Sequence, residues 1–190
     1  MKCLLPKMQL KTLQTDRDIT DLLELQAANL PTAISQEEAR SQGFVTVQHS
    51  PQLLKEMMAA APQIIIRDRA LLAGYALAMP VSMREKIPVL IPMFEQIDQL
   101  QLHGKSLSST PYIVMGQICI AKPYRGEGFF DWLYDGLRMH LSDAYEFIIT
   151  GVATRNMRSL KAHQRVGFQV LHSYVAPDGE GWELIGWDWG

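Results

Sequence analysis

Residues 112–130 read YIVMGQICIAKPYRGEGFF. The stretch opens with a near-continuous apolar run, 112–121, of the length and composition of a buried strand. Lys122-Pro123-Tyr124-Arg125-Gly126-Glu127-Gly128 follows, and then an amphipathic segment over Phe129–Leu141 that reads as a helix. A buried strand that feeds a tight glycine turn and opens a helix forms an anion cradle. The first amides of a helix have no partner inside it, and the helix dipole adds roughly half a positive charge at that end. Phosphate is the ligand this arrangement suits.

The common glycine-rich phosphate motifs do not fit. A dinucleotide fingerprint needs a third glycine where Asp131 stands, and a P-loop needs a Gly-Lys-Ser/Thr that is absent here. Arg125-Gly126-Glu127-Gly128 is instead followed by a second strand, Phe147–Ala153, and a second helix opening at Asn156. Asn156, Ser159 and His163 lie at spacings of three and four, on one helical face, and the helix stops at Gly167-Phe168.

These two segments resemble the GNAT superfamily of acyl-CoA-dependent N-acyltransferases. The family motif Gln/Arg-x-x-Gly-x-Gly/Ala is matched at Arg125 and Gly128, with Phe130 in place of the last small residue. The second motif, Asn-x-x-Ser/Ala-x-x-x-Tyr/His-x-x-x-Gly-Phe, is matched without a gap at Asn156, Ser159, His163, Gly167 and Phe168. The resemblance implies an α/β fold: a mixed, largely antiparallel central sheet with helices on both faces, its fourth strand splayed from its fifth. The cofactor would be acetyl-CoA, lying in that gap. The main chain of 118–122, with Ile118, Ile120 and Lys122, would bind the pantetheine arm like an added strand. The turn residues Arg125, Gly126, Glu127, Gly128, Phe129 and Phe130 would hold the pyrophosphate, and Asn156 and Ser159 would add contacts. The Ile120 amide would stabilise the thioester oxygen, and His163 would protonate the departing thiolate.

A chain of 190 residues with 47% hydrophobic and 20% charged residues has the composition of one globular domain. No apolar run reaches membrane-spanning length, and the start, MKCLLPK, has too few apolar residues for a signal peptide, so the cytoplasm is the expected location. Cys3 and Cys119 build no disulfide framework, and no His/Cys spacing suggests a metal site. A formal charge of −2 argues against sequence-independent nucleic-acid binding. Locally the balance differs: Arg155, Arg158, Lys161 and Arg165 share one helix-sized window without an acid, which is either a solvated face or, in part, a phosphate contact.

The rest of the chain reads as a strand over 8–13 and a helix capped by Asp16 or Asp18 and ended by Pro31. Short helices over 36–41 and 51–58 follow, then a hairpin of 63–67 with 71–78 and a closing hairpin of 170–175 with 182–187. Residues 80–110, with a helix expected over 93–102, read as an ordered lid inserted between strands.

The implied reaction is acetyl transfer to a primary amine of a small molecule, amino acid or peptide, by direct attack through a tetrahedral intermediate. The amine, of pKa about 10.4, must first lose a proton. No acid lies on either central strand, which leaves Gln117, a water, or a lid carboxylate such as Glu95 or Asp98 for that step. Cys119 points opposite to Ile118 and Ile120 and reads as core. Trp182, Trp187 and Trp189 read as core and sheet edge. The rival reading is an acyl-CoA-binding sensor without transfer. Both a monomer and a homodimer fit the sequence.

Overall fold

The computed structural model describes residues 8–190, so the readings of the first seven residues, Cys3 among them, lie outside the described residues. Strand β1 (Met8–Thr12) leads to α1 (Asp16–Ala27), a short α2 (Gln36–Gln42) and α3 (Pro51–Ala60). The hairpin β2 (Ile64–Asp68) and β3 (Leu71–Pro80) is followed by an inserted segment holding α4 (Ile91–Asp98) and a two-residue hairpin, β4 (Gln101–Leu102) with β5 (Lys105–Ser106). Then come β6 (Tyr112–Ile120), α5 (Phe129–Leu141), β7 (Phe147–Ala153), α6 (Met157–Val166), β8 (Gln169–Val175) and β9 (Gly181–Asp188). Seven strands form one sheet in the order β1-β2-β3-β6-β7-β9-β8, antiparallel throughout except for the parallel pair β6–β7.

Alternation along β3 divides the core between the two faces. Tyr75, Leu77 and Met79 join α1, α3 and α4 on one side. Ala76 and Ala78 face the other, joined by Ala73 where the pairing with β2 slips by one residue, and these small side chains leave room for Leu133, Tyr134 and Leu137 of α5. Gly136 lets α5 approach closely, since a Cβ there would meet Ile64 and Leu10 at 2.9 Å.

Thr15, not Asp16 or Asp18, caps α1: its hydroxyl accepts from the Asp18 amide, and the Asp18 carboxylate accepts from the Thr15 amide. Asp18 is 2% exposed and takes two bonds from Arg67 of β2, at 2.7 and 2.9 Å. Burial alone would raise its pKa, but Arg67 and the cap donors outweigh it and hold the carboxyl at about 2. The cap is thereby also the joint between α1 and the sheet.

The inserted segment packs into the α1/α3 side of the core through Met93, Phe94 and Ile97. Its helix stops at Asp98, short of the expected 102, because the chain turns through His103 and Gly104, both at positive φ, to pair β4 with β5. Arg84 binds Asp98 through two nitrogens at 2.9 Å and lies over the Phe94 ring.

One irregularity positions everything that follows. Met115 pairs with Ala78 and Gln117 with Leu77, which leaves Gly116 as an extra residue in β6. Such a bulge bends its strand and shifts the alternation by one. Before it Tyr112 and Val114 face the α1 side; after it Cys119 does, while Ile118 and Ile120 face α5. Pairing with β7 covers only Tyr112↔Phe147, Ile113↔Ile148 and Val114↔Ile149, and then the strands part. At the parting the Thr150 hydroxyl donates to the Met115 carbonyl at 2.8 Å, in place of the missing ladder bond. Thr150 is buried, so Thr150→Val should leave that carbonyl unpaired and cost about 1–3 kcal/mol in urea unfolding. A loss under about 0.5 kcal/mol would mean that the carbonyl finds another donor.

Candidate functional site

Where β6 leaves β7, a cleft of about 730 Å³ opens between the β6 edge, the glycine turn, the start of α5, α6 and the loop after α2. Ile118, Cys119, Ile120, Arg125, Gly126, Gly128, Phe129, Phe130, Asn156 and Ser159 all line it. The Ala121 amide donates to Ala73 of β3, so by the alternation of a strand the main-chain groups of Ile120 and Ile118 point the other way, to the open edge. Ladder bonds to β7 do not reach this far.

Gly126 and Gly128 stand at φ +88° and +83°, in the region that L side chains avoid, and a Cβ on either would meet nothing within 4 Å. Their need is therefore conformational, and the space beside them is open. Gly128 is the N-cap of α5 and supplies no capping side chain; the first bond within the helix runs from Trp132 to the Gly128 carbonyl. The amides of Phe129, Phe130 and Asp131 precede it and have no partner inside the helix. The Phe130 ring does not block this approach. It packs against Tyr134 and His163, with ring centroids 5.2 and 5.0 Å away.

The Arg125 side chain does not reach toward the helix start. Its guanidinium donates to Asn29 Oδ1 at 2.6 Å and to the Ile120 carbonyl at 3.2 Å, and pairs with Glu38 at 3.4 Å. It ties the ends of α1 and α2 to β6, while its main chain stays in the turn. Lys122 is exposed and pairs with Glu38 at 3.2 Å; neither it nor exposed Glu127 lines the cleft.

Asn156 caps α6 by accepting from the Ser159 amide at 3.2 Å. The third residue of that stripe goes elsewhere. His163 is 1% exposed and does not line the cleft. It sits among Phe130, Tyr134 and Phe168, because two turns along α6 the stripe passes beneath the first turn of α5. Its Nδ1–H donates to the Ser159 carbonyl at 2.8 Å, and Nε2 is buried without a partner. Burial holds its pKa at about 4, although the Ser159 carbonyl favours the charged form. At neutral pH this ring carries no proton on Nε2 to give away.

On the opposite face of β6 lies a buried polar network that sequence reasoning did not assemble. Gln26 Nε2 donates to His49 Nδ1 at 2.7 Å and to Gln117 Oε1 at 2.6 Å. Gln117 Oε1 also accepts from Tyr75 Oη at 2.6 Å, and its Nε2 donates to the Val47 carbonyl at 2.8 Å. The Gln117 amide is thus engaged at both ends and clamps the 47–49 loop to β6. The one signal in the sequence was a glutamine inside an apolar strand. Burial lowers His49 to about 4 and pushes the Cys119 thiol up to about 12. Of the carboxylates of the inserted segment, Glu95 is exposed, Asp98 is bound to Arg84, and neither lines the cleft.

His49 and His163 are both neutral when folded and bind protons below pH 6.5 once unfolded. Their contribution to stability is whole above pH 6.5 and is lost as pH falls toward 4, each costing about 2 kcal/mol at pH 5. Urea unfolding at pH 7 and pH 5 should differ accordingly, and His163→Leu should remove roughly half of the difference. An unchanged pH dependence in that variant would contradict the buried, neutral assignment.

Compared with known families and with curated proteins, the sequence matches none. Solved structures do match. A protein assigned as an acetyltransferase of the GNAT family from Desulfovibrio desulfuricans superposes with a TM-score of 0.65 at 11% identity, over 96% of this chain and 99% of that one. YncA from Salmonella typhimurium, described as an acetyltransferase and solved with acetyl-CoA, gives 0.60 at 11% identity, over 97% and 95%. Arabidopsis thaliana Naa50, solved with the bisubstrate analogue CoA-Ac-MVNAL, gives 0.60 at 14% identity, over 94% and 97%. The chain has the GNAT fold, with the mixed sheet and flanking helices of these acetyltransferases.

Proposed function

We propose that the cleft binds acetyl-CoA and that the protein transfers its acetyl group to a primary amine of a small molecule, an amino acid or a peptide. The observation that carries this reading is the continuity of donors. The open main-chain edge of Ile118 and Ile120 leads straight to the uncapped amides of the glycine turn and α5. Bound acetyl-CoA supplies an activated thioester. The Ile118 and Ile120 edge holds the pantetheine arm as an added strand, and the Ile120 amide faces the carbonyl oxygen where charge develops. The amides of 126–130 take the pyrophosphate, that of Arg125 being turned to the Lys122 carbonyl, and Asn156 and Ser159 border the arm from α6. A peptide amine fits the class because Naa50 was solved with a peptide-bearing analogue.

His163 has no part in this reading as a proton donor; it shapes the cleft wall through Phe130. Asp131 is the one carboxylate lining the cleft among the described residues, and Arg165 holds it at 2.6 and 3.2 Å. With no base placed there, attack draws on the neutral fraction of the amine, and transfer should accelerate with pH toward the acceptor's own pKa. The same observation favours a second reading, an acyl-CoA-binding module without transfer.

Calorimetry with acetyl-CoA should give micromolar-range binding and a raised melting temperature. Gly128→Val should fold yet lose about tenfold or more in affinity, because a β-branched residue cannot hold φ +83° without strain. Binding of acetyl-CoA with no free-thiol release over a panel of amines would leave the module reading standing. Absence of both heat and melting shift would remove both readings.

A further inference from the structure

The cleft wall formed by α6 carries more positive charge than a diphosphate seated on the α5 amides requires. Arg158, Lys161 and Arg165 all line it, at spacings of three and four along one stripe of the helix. Their neighbours are already partly spoken for. Arg165 is neutralised by Asp131, and Arg125 faces Glu38. Exposed Lys161 pairs with no carboxylate among the described residues.

Position separates Lys161 from the diphosphate cradle. It lies five residues beyond Asn156, roughly 7.5 Å along the helix at about 1.5 Å per residue. The Asp131–Arg165 pair joins the first turn of α5 to the last turn of α6, so Lys161 stands between that joint and the Asn156 cap. Lys161 lines the same cleft as the β6 edge and the start of α5, within reach of a group carried beyond the diphosphate. A phosphate monoester carries nearly two charges near neutral pH and presents three terminal oxygens, whereas each phosphate inside a diphosphate diester carries one charge. Lysine meets such a group as a mobile point charge.

We propose that Lys161, with Arg158 beside it, forms a second anion subsite for a phosphate monoester carried beyond the diphosphate, so that the cleft selects 3′-phosphorylated CoA over dephospho-CoA. This rests on the cofactor reading above and adds to it a residue and a selectivity.

The test is calorimetry at about 50 mM salt with CoA and dephospho-CoA on the full chain, its Lys161→Ala variant and its Lys161→Arg variant. The wild type should bind CoA about tenfold more tightly than dephospho-CoA, the usual scale of one charge-assisted phosphate contact. Lys161→Ala should reduce that preference below about threefold while leaving dephospho-CoA affinity unchanged, and Lys161→Arg should keep most of it. Equal binding of both ligands by the wild type would overturn the subsite and leave the cofactor reading intact. Equal weakening of both ligands by Lys161→Ala would also overturn it, since the lysine would then serve the shared diphosphate. If neither ligand bound, the cofactor reading would fall and the subsite with it.

Discussion

The site depends on one residue too many in β6. Gly116 has no partner in β3, and the strand bends at that point and loses its ladder to β7. A sheet cannot leave main-chain groups unpaired in its interior without cost, and here the cost is contained in two ways. Thr150 satisfies the last carbonyl, that of Met115, and beyond it the strands are far enough apart to form a cleft rather than a buried gap. The phase shift produced by the bulge turns Ile118 and Ile120 toward α5. The open edge and the glycine turn therefore belong to one surface.

Buried polar groups hold that surface in place. Gln117 and Gln26 join the 47–49 loop to the back of β6. Arg125 joins the ends of α1 and α2 to its front. A satisfied buried network of this kind positions backbone more sharply than apolar packing does, because each donor has one geometry in which it is paired. The two neutral histidines belong to this scaffold; both are held in the uncharged form by burial, one on each face of the sheet.

Much of residues 112–168 was legible because its signals are local. The apolar run, the glycine turn and the helical stripe bound Phe129–Leu141 and Phe147–Ala153 as observed. Thr15 and Asp18 cap each other reciprocally, so Asp18 alone also reads as the α1 cap. The helix of the insertion reads longer than it is because the turn at His103-Gly104 pairs strands of only two residues, too short to show alternation. His163 reads as a cleft residue because helical spacing gives a shared stripe but not what covers it. Phe130, from another helix, covers this stripe. The Gln26–Gln117 bond spans 91 positions, and no local pattern announces it.

In the proposed function acetyl-CoA completes the β6 edge through the Ile118 and Ile120 amides, the Ile120 carbonyl being held by Arg125. Residue-resolved amide hydrogen exchange, with and without saturating acetyl-CoA, reads the pairing of these amides one by one. The Ile118 and Ile120 amides should exchange at least about tenfold more slowly with the ligand, while those of the outer edge of β8 keep their rates. Unchanged exchange at Ile118 and Ile120 under saturation would contradict the account.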